Sequence, residues 1–87
     1  MKIFSIKDSK AEAYLLPIFA PTIGVAIRMF QNATLKENTD FNRYAADYTL
    51  FEIGEWDELK GRVKSLEANK NIINGLDVQD MTIEGGE

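Results

Sequence analysis

Tyr48-Thr49-Leu50-Phe51-Glu52-Ile53-Gly54-Glu55-Trp56-Asp57 decides the fold of this chain. Aromatic and β-branched residues alternate with polar ones, which is the signature of a half-buried strand. Strict alternation puts Phe51 and Ile53 on one face, with Tyr48, Leu50 and Trp56 on the other. Asp57-Glu58-Leu59-Lys60-Gly61 then reads as a turn, with Gly61 available for a positive φ. Arg62 to Leu66 returns as a second strand through Val63 and Lys64, so the pair forms a hairpin.

Working outward, Lys2 to Lys7 sets Ile3 and Ser5 against Phe4 and Ile6 and reads as a first strand. Asp8-Ser9-Lys10 is a polar turn. Ala11 to Ile18 reads as a second strand, and Pro17, which lacks an N–H, confines it to a sheet edge. Thr22 is an N-cap for a helix over Ile23 to Leu35. Its apolar stripe is Ile23, Ala26, Ile27, Phe30 and Ala33. Lys36 to Asn42 is a polar loop, and Tyr44 to Asp47 is a helical turn.

The predicted fold is α+β, in two layers. An antiparallel sheet of four strands, in the order β-β-α-β-β, carries one main helix on a face. Residues 1–66 form the domain. Residues 67–87 form a weakly structured tail, with a short helix over Ala68 to Leu76 and a frayed Gly85-Gly86-Glu87 end.

A chain of 87 residues buries only roughly 60–65% of the surface its unfolded form exposes, so a lone core is marginal. With no cysteine and no histidine, disulfides, Cys-based zinc sites and Ser-His-Asp or Cys-His catalysis are excluded. Self-association is then the expected stabiliser. A hydrophobic fraction of 45% is too high for a disordered chain. The net charge of -4 disfavours sequence-independent binding to phosphate backbones, which needs clustered Lys and Arg. The nearest approaches to such clusters are Lys2, Lys7 and Lys10, and Lys60, Arg62 and Lys64. The apolar run Ala13 to Ile27 is broken by Pro17, Pro21 and Gly24 and falls short of a membrane span. No signal-peptide pattern opens the sequence.

The acidic pairs Glu52/Glu55 and Asp57/Glu58 read as solvated strand and turn groups. A domain this small hardly has room for the cleft that glycoside hydrolysis needs. No calcium loop, Walker loop or dinucleotide fingerprint occurs, so no cofactor is expected. Phe4, Tyr14, Tyr48, Phe51 and Trp56 are the rings that could stack on bases, although aromatic residues more often fill a core. Stacking would need basic neighbours, which Lys2, Lys7, Arg62 and Lys64 supply if the first and last strands adjoin. Arg28 in the helix is a further phosphate candidate, whereas Arg43 is placed to pair with Asp40 or Asp47.

Three pieces of the chain together resemble the small nonstructural proteins of gokushoviruses, tailless single-stranded DNA phages of the microvirus family. They are Met1 to Asp8 with Lys10, Ala11 and Tyr14; Ala26-Ile27-Arg28-Met29-Phe30; and Asp47 to Asp57. The resemblance covers residues 1–66. It departs from the family pattern at Arg43 to Asp47, where a His-Pro approach to the strand is expected. It implies a nonstructural phage protein of the bacterial host cytoplasm, described as DNA-binding. It also implies kinship with the microvirus C-type proteins, which act in the switch from duplex replication to single-strand production and packaging. No catalytic residues come with it.

Two functional expectations follow. One is a DNA-binding accessory protein, contacting single-stranded or replicative-form DNA through Lys2, Lys7, Arg28, Arg62 and Lys64 and assembling as a homo-oligomer. The other is an adaptor for replication-initiation or capsid proteins, with Leu15, Leu16, Ile18 and Phe19 as the apolar contact. An enzyme is disfavoured, because the usual proton-transfer side chains are missing.

Overall fold

The computed structural model describes the backbone of residues 1–85 and the side chains of residues 1–81. The chain runs β1 (Lys2–Asp8), β2 (Ala13–Tyr14), β3 (Ile18–Ala20), α1 (Ile23–Leu35), α2 (Asp40–Arg43), a 3₁₀ turn (Ala45–Asp47), β4 (Tyr48–Asp57), β5 (Arg62–Asn74) and α3 (Gly75–Gly85). All strand pairs are antiparallel, in the order β2-β1-β4-β5, with β3 also paired to β1. The α+β class is as the sequence predicts, but the strand layout differs in two places.

The first difference is at the β1 edge. β2 and β3 lie on the same side of β1, with Lys7 opposite Tyr14 and Ile3 opposite Phe19. The expected second strand, Ala11 to Ile18, holds only β2 and the first residue of β3, which runs on to Ala20, and it is interrupted at Leu15-Leu16-Pro17. Pro17 cannot donate to the ladder, and it sits in the gap. Two bonds tie the break to β1: the Leu15 N–H donates to the Ile6 carbonyl at 2.8 Å, and Ser5 Oγ donates to the Leu15 carbonyl at 2.6 Å.

The second difference is the C-terminal third. β5 does not stop at Leu66 but continues to Asn74, and α3 follows directly. Ala68 to Ile73 is therefore strand rather than helix. Phe51 and Glu52 pair with Asn71 and Lys70, and Leu50 pairs with Ile73, which packs on the core. Asn74 makes the junction. Its Nδ2 donates to the carbonyls of Ala46 and Tyr48 and to Thr49 Oγ1, while its Oδ1 accepts the Leu76 N–H. Gly75 is needed there, because a Cβ would stand 2.5 Å from the Ala45 carbonyl oxygen. Of the expected frayed end, Gly86 and Glu87 lie outside the described residues.

The core lies between the sheet and the helices. Phe4, Ile6, Tyr48 and Leu50 meet Ala26 and Phe30 of α1, Ala20 of β3 and Val78 of α3. Burying each of the larger apolar side chains contributes about 1.5–3 kcal/mol. The α1 stripe is as predicted for Ala26 and Phe30, with Ile23 and Ile27 half-buried against the same cluster. Thr22 caps α1, its Oγ1 accepting the Val25 N–H at 3.1 Å. The expected loop over Lys36 to Asn42 holds the start of α2, capped in the same way by Thr39.

Candidate nucleic-acid interface

Cross-strand partners in an antiparallel sheet point to the same face, and neighbours along a strand point to opposite faces. The register therefore sorts every paired side chain. On the face that carries the helices lie Lys2, Phe4, Ile6 and Asp8 of β1, with Glu55, Glu52, Leu50 and Tyr48 opposite them on β4. Lys64, Lys70, Ile73 and Arg62 of β5 continue this face opposite Glu55, Glu52, Leu50 and Asp57.

The helix-free face holds Ile3, Ser5 and Lys7 of β1, Gly54, Phe51 and Thr49 of β4, and Tyr14 and Phe19 on the broken edge. Trp56 with Val63, and Ser65 opposite Gly54, extend it toward the hairpin. Trp56 contradicts the sequence expectation. The ladder slips between Glu52 and Gly54, where β4 holds one residue more than β1, and this bulge reverses the alternation beyond Ile53. Trp56 thus leaves the face of Tyr48 and Leu50 and joins that of Phe51. Gly54 lets the strands close here, since a Cβ would lie 2.7 Å from the Lys64 carbonyl oxygen.

Four aromatic rings consequently share the helix-free face: Tyr14, Phe19, Phe51 and Trp56. Tyr14 is 42% exposed and Phe19 48%, while Phe51 and Trp56 are half-buried. Tyr14 meets Phe51 edge-on, with centroids 5.6 Å apart, and Lys7 Nζ lies 5.7 Å from the Tyr14 centroid. The centre of this face is buried, with Ile3 3% and Ser5 1% exposed, and its open part lies at the rings; a sheet face open to solvent ordinarily alternates to polar residues. This one is aromatic, and among the described residues none of its paired positions is acidic: Asp8, Glu52, Glu55 and Asp57 all belong to the other face.

The basic residues singled out in the sequence are not brought together. Lys7 alone is on the helix-free face. Lys2 is on the other face, bound to the buried Glu52 carboxylate at 3.2 Å. Arg62 and Lys64 stand across from Asp57 and Glu55, and β4 separates their strand from β1. Arg28 projects from α1 into solvent. Arg43 pairs with Asp40 at 3.3 Å, as its spacing suggests. Of the five rings proposed for stacking, Phe4 and Tyr48 are core, and Tyr14, Phe51 and Trp56 are on the helix-free face. Phe19, which reads from the sequence as part of an apolar contact patch, is a further member of this set. Five residues from Tyr14, it would face the other way in an unbroken strand. The break at Pro17, visible in the sequence, is what resets it.

Two concavities flank these features. One, of about 400 Å³, lies at the hairpin end between Met1, Trp56, Leu59, Lys64 and the carboxylates of Glu55, Asp57 and Glu58. The other, of about 330 Å³, is bordered by Asp8, Lys10, Tyr44, Asp47 and Tyr48. Burial first, and then the carboxylates of Asp8, Asp40 and Asp47, raise the Tyr48 phenol above its ordinary value. No cluster of metal-ligating side chains occurs among the described residues, and none of their helices is long and apolar enough to cross a membrane.

No match to this chain is found among curated proteins or among solved structures. A family model described as Phage ORF5 protein matches residues 1–78, from β1 through β5 and into α3. The chain therefore belongs to the Phage ORF5 protein family.

Proposed function

We propose that this phage protein is a gokushovirus accessory protein that binds single-stranded DNA in the bacterial host cytoplasm. It would act there in the passage from duplex replication to single-strand production and packaging, as a binding protein rather than an enzyme. The observation that supports the reading is the helix-free face. In a chain of net charge -4 it holds Tyr14, Phe19, Phe51, Trp56 and Lys7, with no carboxylate at its paired positions among the described residues. A polyanion with exposed bases meets attraction and stacking there, and repulsion on the other face. An electrophoretic mobility shift with single-stranded DNA at two salt concentrations is the test. A retarded complex at low salt is expected, and free DNA at every protein concentration contradicts the reading.

A second reading has its own observation. Leu15, Leu16 and Phe19 all project at the broken edge, with Leu16 88% exposed. This patch suits an adaptor that binds replication-initiation or capsid proteins. Co-purification of either with the wild-type chain, lost on Leu16→Asp, distinguishes it from DNA binding.

A further inference from the structure

We infer that the DNA contact is made to unpaired bases, which stack on Tyr14 and Phe19 along the broken edge strand, and only slightly to phosphates. The inference rests on the DNA-binding reading above and specifies how that site works.

Three observations carry it. First, the two rings that are both aromatic and about half exposed on the helix-free face are Tyr14 and Phe19. They stand opposite Lys7 and Ile3, four residues apart on β1, so they are roughly 13 Å apart along the strand. Two separate stacking positions are therefore offered. Second, Tyr14 is held in place by its edge contact with Phe51 and by Lys7, whose Nζ stands over one face of the ring at 5.7 Å and leaves a base the opposite face. A ring already fixed loses little freedom when a base settles on it. Third, among the described residues a single lysine, Lys7, is the cation at the paired positions of this face. Lys2, Arg62, Lys64 and Lys70 lie on the other face, each directly across from an acid or bound to one.

A duplex keeps its bases inside the stack and presents phosphate. Single strands present both, and every base has a face that can stack. The site should then prefer single strands, tolerate any sequence and respond weakly to salt. For one lysine on a single strand, the slope of log K against log salt is about −0.7. That amounts to about a threefold loss between about 50 mM and about 200 mM salt. Three phosphate-binding basic residues would give about a twentyfold loss over the same range.

The experiment is fluorescence anisotropy of a labelled oligothymidine, and of a duplex of equal length, with the full chain at both salt concentrations. The variants are Tyr14→Ala, Tyr14→Phe, Phe19→Ala and the double variant Arg62→Ala/Lys64→Ala. Single-strand binding should weaken about tenfold in Tyr14→Ala and in Phe19→Ala, the cost of losing one stacked base. It should be kept in Tyr14→Phe, and stay within about twofold in the double variant. Binding that falls steeply with salt, or that Arg62→Ala/Lys64→Ala removes, overturns the stacking mode but leaves DNA binding in place. Absence of binding to either probe overturns both. A sedimentation shift from dimer to monomer in Tyr14→Ala, without single-strand affinity in the wild type, also overturns it, because a second copy then covers the rings.

Discussion

The two faces of one sheet are built from neighbouring residues of the same strands, yet they have opposite chemistry. The face under the helices joins an apolar centre, Phe4, Ile6 and Leu50, to a margin of alternating acids and bases. The helix-free face has more aromatic rings and almost no charge, with Lys7 as its cation. A small domain usually spends its rings on the core. Here Tyr14 and Phe19 stay about half exposed at the edge of the helix-free face. The contrast teaches that the helix-bearing face holds the main core, while the other buries its centre at Ile3 and Ser5 and leaves two rings open at its edge.

Substitutions of matched residues give the largest contrast. Phe4→Ala empties a fully buried site and should cost about 3–5 kcal/mol, enough to unfold much of a domain this small. Phe19→Ala, opposite the neighbouring β1 residue, should stay within about 0.5–1 kcal/mol. Urea unfolding followed by circular dichroism measures both. Equal costs would break the division of labour between the faces.

Gly75→Ala comes next. The new methyl would press on the Ala45 carbonyl at the β5–α3 junction and should cost about 1–3 kcal/mol in the same assay. A neutral result would mean that α3 is not seated where Val78 joins the core.

Thr34→Val should act in the opposite direction. Thr34 Oγ1 is buried without a hydrogen-bond partner among the described residues. Replacing the hydroxyl by a methyl removes an unsatisfied group and should stabilise by about 1 kcal/mol. A loss of stability would show that the hydroxyl has a partner after all.

The smallest effect is on pH dependence. The Tyr48 phenol is raised above 10.0 by burial and by nearby carboxylates, so the unfolded chain releases its proton first. Its contribution is complete below pH 10.0 and is lost as pH climbs through the folded value. Wild type should lose stability over that interval more steeply than Tyr48→Phe. Parallel curves in urea titrations on either side of about pH 10 would contradict this.

Much of the covered face was legible in the sequence. Alternation in Lys2 to Lys7 and Tyr48 to Phe51, the Thr22 cap and the Ala26/Phe30 stripe are local signals, and each stands as read. β5 was legible only to Leu66. Glu67-Ala68-Asn69-Lys70-Asn71 has weak strand propensity and no apolar alternation, and its pairing with β4, remote in sequence, is made at Lys70 and Asn71 after a slip in the ladder beyond Ser65. The helix-free face was the least legible part. Its membership depends on two interruptions, the break at Pro17 and the bulge beside Ile53, each of which turns a ring to the other side. Counting by twos from Tyr48 sends Trp56 to the wrong face. The basic residues chosen as a cluster are divided by parity, which sends Lys7 to the other face from Lys2, and by topology, because β4 stands between β1 and the strand of Arg62 and Lys64.

The most direct test is a ¹⁵N chemical-shift titration of the chain with an unlabelled oligothymidine. Shifts should concentrate on Lys7, Tyr14, Phe19, Phe51 and Trp56, leaving α1 and α3 quiet. Shifts confined to Arg28, Arg62 and Lys64, with the helix-free face unmoved, would contradict the assignment of that face as the binding surface.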